Sequence, residues 1–167
     1  MQFIGIDPGV HGAVAHVEDD DVVFYDMPVL VMTSKSAGKL ITRRKVDVAE
    51  FYETLRQLDA PICGIEDLSA RPGKGSIASF SLGRSMGAME MAAYASRLSA
   101  MLVPPNVWKR HFGFPVGDKD APRLELLSLL GPRDDLRLKS KHQDRADAYW
   151  IGRYAAEQSS TPPSPLR

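Results

Sequence analysis

Apolar and polar positions follow two different periods along the chain, and each change of period marks an element. Gln2-Phe3-Ile4-Gly5-Ile6-Asp7 is nearly continuous in apolar residues, the pattern of a strand buried on both faces. Pro8-Gly9 interrupts it, and Gly12-Ala13-Val14-Ala15-His16-Val17 predicts an antiparallel return. The acidic run Glu18-Asp19-Asp20-Asp21 predicts a tight turn into a third strand, Val22-Val23-Phe24-Tyr25, which completes a meander. Residues 28–46, with Gly38 among them, predict a loop or an irregular hairpin. From Asp47, a residue suited to an N-cap, the period becomes helical through Val48, Phe51, Tyr52, Leu55 and Leu58. Pro61-Ile62-Cys63-Gly64-Ile65-Glu66 is a short buried strand that ends in a carboxylate.

The second half is mostly helical. Residues 70–76 hold Pro72, Gly73 and Gly75 and predict a mobile loop, followed by a long helix from Ser76 to about Ser99. Met101-Leu102-Val103-Pro104 predicts a fifth strand. Asn106 is expected to cap a short helix over 107–112 that Gly113 closes. Asp118 is expected to cap another, with Leu124, Leu127 and Leu130 on one face and Gly131 at its end. A last helix is expected from about Lys141 to Glu157. The tail from Ser159 holds three prolines and little apolar content, so residues 158–167 are expected to be disordered and residues 1–157 to form the domain. No internal repeat is present. The sum is an α/β fold with a five-stranded mixed sheet flanked by helices: the meander supplies the antiparallel part and helical crossovers the parallel part.

Composition narrows the class. With 167 residues, 44% apolar and 25% charged, the chain suits one compact domain and not a disordered one. Cys63 is the only cysteine, which excludes an internal disulfide and a cysteine-rich zinc site and points to a reducing cytoplasm. No run approaches the roughly 18 apolar residues of a membrane span. The formal net charge is zero, which argues against indiscriminate coating of nucleic acid, but the charge is uneven. No acid lies between Asp26 and Asp47, whereas Lys35, Lys39, Arg43, Arg44 and Lys45 all do.

The candidate chemistry lies in the acids. Asp7 ends what should be the central strand, and Glu66 ends another apolar strand. Asp144 and Asp147, three apart on the last helix, project from one face among Ala146, Ala148, Tyr149, Trp150 and Ile151. Carboxylates buried together require a cation to neutralise them, and their hard oxygens suit Mg²⁺ or Mn²⁺. Two such ions about 3.5–4 Å apart support phosphodiester cleavage. Taken singly, each acid could instead be a turn residue, a strand-end surface acid or part of a solvated helix face.

Gly5-Ile6-Asp7-Pro8-Gly9, Ile65-Glu66-Asp67 and Asp144-Arg145-Ala146-Asp147-Ala148 resemble, in order and spacing, the three signature segments of RuvC-type Holliday junction resolvases. The resemblance runs to about residue 157. It implies an RNase H-like fold and a homodimer that makes paired cuts in four-way DNA junctions, leaving 5′-phosphate ends. It also implies two Mg²⁺ ions per site, replaceable by Mn²⁺, held by Asp7, Glu66, Asp144 and Asp147, with Asp7 bridging both. Lys109 and Lys119 occupy positions similar to the family's DNA-contacting lysines. Arg71 and Lys74 follow Glu66 closely enough to lie beside the scissile strand, and the Lys35–Lys45 cations form a further candidate DNA contact. His142, near the last motif, reads as a surface histidine; Trp108, Trp150 and Cys63 read as core.

Two departures matter. Cellular members place an aromatic or similar probe after the glutamate strand, where this chain has Leu68-Ser69-Ala70, its nearest aromatic being Phe80. The basic segment is also longer than in cellular members and similar to an insertion in phage-type relatives, which points to a phage or prophage source and a bacterial cytoplasm. Gly83 and Gly87, with Met86, Met89 and Met91, mark the long helix as a candidate dimer interface, because glycines cost helix stability unless another backbone packs closely. Rival readings are an RNase H-like nuclease acting on flaps, forks or RNA, and a non-catalytic junction-binding protein. An actin-like ATPase or sugar kinase would need a second nucleotide-binding half, for which the chain is too short.

Overall fold

In the computed structural model, residues 1–19, 21–68, 75–137 and 139–160 are described. Five strands form a mixed sheet in the order β3-β2-β1-β6-β7: β1 (Phe3–Asp7), β2 (Ala13–Glu18), β3 (Asp21–Asp26), β6 (Cys63–Glu66) and β7 (Ala100–Val103). β1 pairs antiparallel with β2 and parallel with β6, so the expected meander and crossovers are both present. Being central, β1 is buried on both faces, which explains its unbroken apolar sequence.

The two faces carry separate cores. Ile4, Ile6, Val14, Cys63 and Ile65 pack under α1 (Val48–Arg56) and α2 (Ser76–Ala95). Phe3, Ala13, Ala15 and Val103 pack on the other side, with Leu126 of α4 (Ala121–Leu130) and Ala148 and Ile151 of α5 (Lys139–Ser160). Here α5 lies directly on the strands. A Cβ on Gly5 would stand 1.8 Å from the Ala148 carbonyl oxygen, and one on Gly64 would stand 2.6 Å from that of Ile151. Only glycine permits so close a crossing of helix and sheet. No helix among the described residues is long and apolar enough to cross a membrane.

Residues 28–46, read as a loop or irregular hairpin, form a regular two-stranded sheet of their own, β4 (Val29–Ser36) and β5 (Lys39–Val46). Ala37 (φ 47°) and Gly38 (φ 75°) make the connection, and positive φ at both central positions matches the right-handed twist of the strands.

Several boundaries shift. Asp47 caps α1 as expected, accepting from the Ala49 and Glu50 amides. α2 stops at Ala95, four residues short of expectation, because Arg97 turns to φ 63°. Asn106 does not cap α3 (Pro105–His111): the helix starts two residues earlier than expected, where Pro105, lacking an amide hydrogen, suits its first position. Asp118 accepts from the Asp120 and Ala121 amides just ahead of α4. On α4 the inward residues are Pro122, Arg123 and Leu126, and Leu124, expected on the apolar face, is exposed. Buried Arg123 grips Asp120 and donates to the Leu136 carbonyl, fastening α4 to the segment that leads into α5. α5 continues to Ser160, so Gln158 to Ser160, expected in the tail, are helical; residues 161–167 lie outside the described residues.

Candidate active site

Strand alternation sets the site. Ile4 and Ile6 face α1 and α2, so Phe3, Gly5 and Asp7 face α5; on β6 the same parity turns Gly64 and Glu66 toward α5. β1 and β6 run in register through Gly5–Gly64 and Ile6–Ile65, and one further step sets Asp7 beside Glu66. Asp144 and Asp147 lie about one turn apart on α5. The glycine crossing that draws α5 onto β1 and β6 is therefore what brings these acids to the ends of the two strands.

Their electrostatics show the convergence. Burial, then Glu66, Asp147 and Asp144 in turn, hold the Asp7 carboxyl well above the usual range, against a smaller opposing pull from Lys109. Burial raises Asp144, opposed by His11 and by a hydrogen bond with Asp7. Asp147 is pushed up to about 7, mainly by burial, with Lys109 opposing and Glu66 and Asp144 reinforcing. Glu66 and Asp147 are buried residues. Among the described residues Asp147 Oδ1 has no hydrogen-bond partner, a costly state for a buried oxygen.

Among the described residues no three carboxylate, imidazole or thiol side chains are gathered tightly enough to hold a metal ion as they stand. Repulsion is relieved by other means. A side-chain hydrogen bond links Asp144 to Asp7, Lys109 Nζ stands 3.9 Å from Asp147 Oδ2, and Trp108 Nε1 donates to Glu66 Oε1 at 3.0 Å. The donor set nonetheless fits a divalent cation: hard oxygens, raised proton affinities that a cation would reverse, and a buried oxygen lacking a partner.

Trp108 is core, as expected, but it also makes a contact with the site that the sequence does not announce. It is fully buried, yet its indole N–H fixes the Glu66 carboxylate, and Lys109 Nζ sits 4.8 Å from its ring centroid. The available signal was the indole itself: buried in a core, its N–H needs an acceptor, and a carboxylate strand lay nearby. His11 was also missed; it lines a cleft of about 360 Å³ with Asp26, Arg44 and Asp144. Arg145 ties α5 in place through Asp26 at 2.7 Å and the Asp135 carbonyl at 3.0 Å.

The other predicted residues divide. Lys109 is at the carboxylates. Arg44 borders the cleft with Asp144 and also a neighbouring one of about 330 Å³ beside Pro8, Gly9 and Leu68. Lys35, Lys39, Arg43 and Lys45 are exposed on the hairpin, and Lys119 is exposed between α3 and α4. Arg71 and Lys74, with the expected mobile loop, lie outside the described residues apart from Gly75 and Ser76. His142 is not at the surface: it is 5% exposed, on the buried side of α5. Cys63 is buried, and Trp150 packs in the core with its N–H on the Pro122 carbonyl, as expected.

The chain is similar to the solved structure of Thermus thermophilus RuvC, with a TM-score of 0.55 at 17% identity over 94% of this chain and 96% of that one. It is also similar to T. thermophilus RuvC in complex with Holliday junction substrate, with a TM-score of 0.61 at 14% identity over 94% and 95% of the two chains. No family model and no curated protein sequence matches. The likeness establishes the RNase H-like fold, with its mixed sheet flanked by helices.

Proposed function

We propose that this protein is a structure-selective DNA endonuclease that resolves four-way junctions by paired, metal-dependent phosphodiester hydrolysis, leaving 5′-phosphate ends. One observation carries the reading: Asp7, Glu66, Asp144 and Asp147, from three elements spread over the chain, come together at the ends of the two central strands, where the other three all raise the Asp7 carboxyl. The fold shared with a junction-bound RuvC supports the choice of substrate.

Asp7, Glu66, Asp144 and Asp147 would hold two Mg²⁺ or Mn²⁺ ions, which when bound supply an activated water and charge at the leaving oxygen. The chain's own groups prepare that site. Trp108 fixes the direction of Glu66, and Arg145 holds the start of α5 against Asp26. Lys109 neutralises Asp147 and, standing at the pocket, is placed to meet a DNA phosphate. Arg44 adds a second cation at the pocket's edge. Lys119, Arg71 and Lys74 extend the proposed contact with the phosphate backbone. Two sites acting in pairs require two copies. The stripe Phe80, Gly83, Gly87, Met91 and Tyr94 on α2 is the proposed dimer face, with Phe80, Met91 and Tyr94 each more than half exposed.

Cleavage of a synthetic mobile junction with Mg²⁺ or Mn²⁺, compared with flaps, forks, RNA hybrids and plain duplex, tests the reading. Symmetric nicks across the junction are expected. Asp7→Asn should lower the cutting rate by roughly a thousandfold or more while binding persists. Equal cutting of flaps and junctions would replace the junction by branched DNA in general. Binding by wild type without cutting would make the chain a junction-binding protein, and cutting by the variant at the wild-type rate would remove Asp7 from the mechanism.

A further inference from the structure

We propose that the β4–β5 hairpin is an arm that tracks one strand of a DNA duplex leading away from the carboxylate pocket, and that only one of its two faces binds the phosphates. The inference rests on the DNA-cleaving function above and deepens it, because it says which part of the substrate the hairpin holds.

The pairing register fixes the faces. Leu30 pairs with Lys45, Met32 with Arg43, Ser34 with Ile41 and Ser36 with Lys39. Paired residues share a face and alternate residues face opposite ways. Lys39, Arg43 and Lys45 therefore stand on one face, and Lys35 and Arg44 on the other. From Lys39 to Lys45 is six steps along β5, about 20 Å at roughly 3.4 Å per residue. Duplex DNA presents a phosphate on each strand every 3.4 Å or so along its axis, so this row spans about six base pairs.

Three observations favour a polyanion as the occupant. Lys39, Arg43 and Lys45 are exposed, and among the described residues they form no ion pair. Residues 27–46 contain no acid, so the hairpin has no means of neutralising its own row of like charges. The hairpin also forms a two-stranded sheet separate from the main one, and a ribbon of this kind can lie along a DNA groove.

The base of the arm gives it direction. Met27 and Val46 are buried in the core beneath α1 and α2, and the Asp47 amide donates to the Pro28 carbonyl at 2.9 Å. Two residues before Val46, on the face opposite the row, Arg44 borders the cleft that holds His11 and Asp144. The row thus begins at the pocket and runs outward. DNA held along it would enter the carboxylates at one defined end. Arg44 belongs to the pocket, Lys45 borders the neighbouring cleft beside Pro8 and Gly9, and Arg43 and Lys39 continue the row along the arm.

The test is the triple variant Lys39→Ala, Arg43→Ala and Lys45→Ala in the Asp7→Asn background, with fluorescent four-way junctions titrated across salt concentrations. Removing three phosphate-binding cations should flatten the slope of log affinity against log salt by about 2.7 and weaken binding by roughly 10- to 100-fold near 0.1 M salt. In the otherwise wild-type chain, cutting at subsaturating protein should fall in step with the lost affinity. Unchanged affinity and slope would overturn the arm. Weakened binding with an unchanged slope would also overturn it, because the three side chains would then be binding something other than phosphates. A triple variant that fails to dimerise while keeping its salt slope would assign the row to a second copy instead. If the Asp7→Asn chain with its hairpin intact does not bind junctions at all, the proposed function falls and takes the arm with it. The circular dichroism spectrum should not change, since all three side chains are exposed.

Discussion

The two long helices lie on opposite faces of one sheet, and both carry glycine, but for opposite reasons. On α5, Gly152 meets the backbone of β1: a Cβ there would stand 2.7 Å from Gly5 Cα and 2.6 Å from the Phe3 ring. On α2, a Cβ on Gly83 or Gly87 would meet nothing within 4 Å. The glycine of α5 is explained by the chain's own packing, and the explanation extends to the candidate site, because that crossing sets Asp144 and Asp147 against Asp7 and Glu66. The α2 glycines destabilise their helix with no close packing inside the chain to offset the cost. Sequence treats the two helices alike. Only what surrounds each glycine tells a structural one from one that keeps a surface open.

The largest effect is expected where the crossing is tightest. Gly5→Ala sets a methyl 1.8 Å from the Ala148 carbonyl oxygen, and neither backbone can yield without moving α5 off β1. A loss of about 3–5 kcal/mol is expected in urea denaturation, at or above the upper end of overpacking costs. The fraction that folds should cut poorly, its helical acids displaced from the strand acids. Near-normal stability would show that helix and sheet can separate there at little cost, and that the close crossing at Gly5 does not set the acids in place.

A smaller effect tests the charge that the crossing buries. The Asp147 carboxyl has its pKa raised from 3.8 to about 7, chiefly by burial. The folded chain therefore binds a proton there more tightly than the unfolded chain does. The stability this contributes is complete below about pH 4 and is lost as pH rises through 7. In chelator, the melting temperature should fall between pH 5 and pH 8. Asp147→Asn should flatten that fall and make the ion-free protein more stable at pH 8 by on the order of 2 kcal/mol. Mg²⁺ or Mn²⁺ should raise the melting temperature of wild type at pH 8 and leave the variant nearly unmoved. A variant less stable than wild type at pH 8 would mean that Lys109 already compensates the carboxylate.

Much of this was legible from residue pattern. Asp7 and Glu66 each end an apolar strand, and Asp144 and Asp147 share one face of a helix rich in apolar residues, so all four stand out as acids where a core would not place them. What escaped was non-local. Nothing in the Val107-Trp108-Lys109 sequence states that the indole meets Glu66, a hydrogen bond made across 42 residues. His142 reads as surface because a polar residue at the start of a helix usually is; here the helix is buried along that side. The regular hairpin was read as irregular because both of its faces are solvated, so its strands lack the apolar alternation that a half-buried strand displays.

The smallest effect concerns the open glycines, and it separates two accounts of α2. Leu82, Met86, Met89 and Ala93 point into the core, while Phe80, Gly83, Gly87, Met91 and Tyr94 recur at helical spacing on the outward side. A helix apolar on both sides is expected to be covered on both. Were α2 simply a surface helix, Gly87→Ala would stabilise the chain by about 0.5–1 kcal/mol through helix propensity alone, independent of protein concentration. On the proposed dimer face the same methyl separates two closely packed backbones, so the gain in the isolated chain is offset by weaker association. The melting temperature of wild type should then rise with protein concentration, and that of Gly87→Ala should rise less. Gly87→Leu is the sharper variant, since its side chain fills the groove outright and should leave a monomer in sedimentation equilibrium. A dimer that tolerates leucine there would place the interface between copies elsewhere and leave the openness of α2 without a partner to explain it.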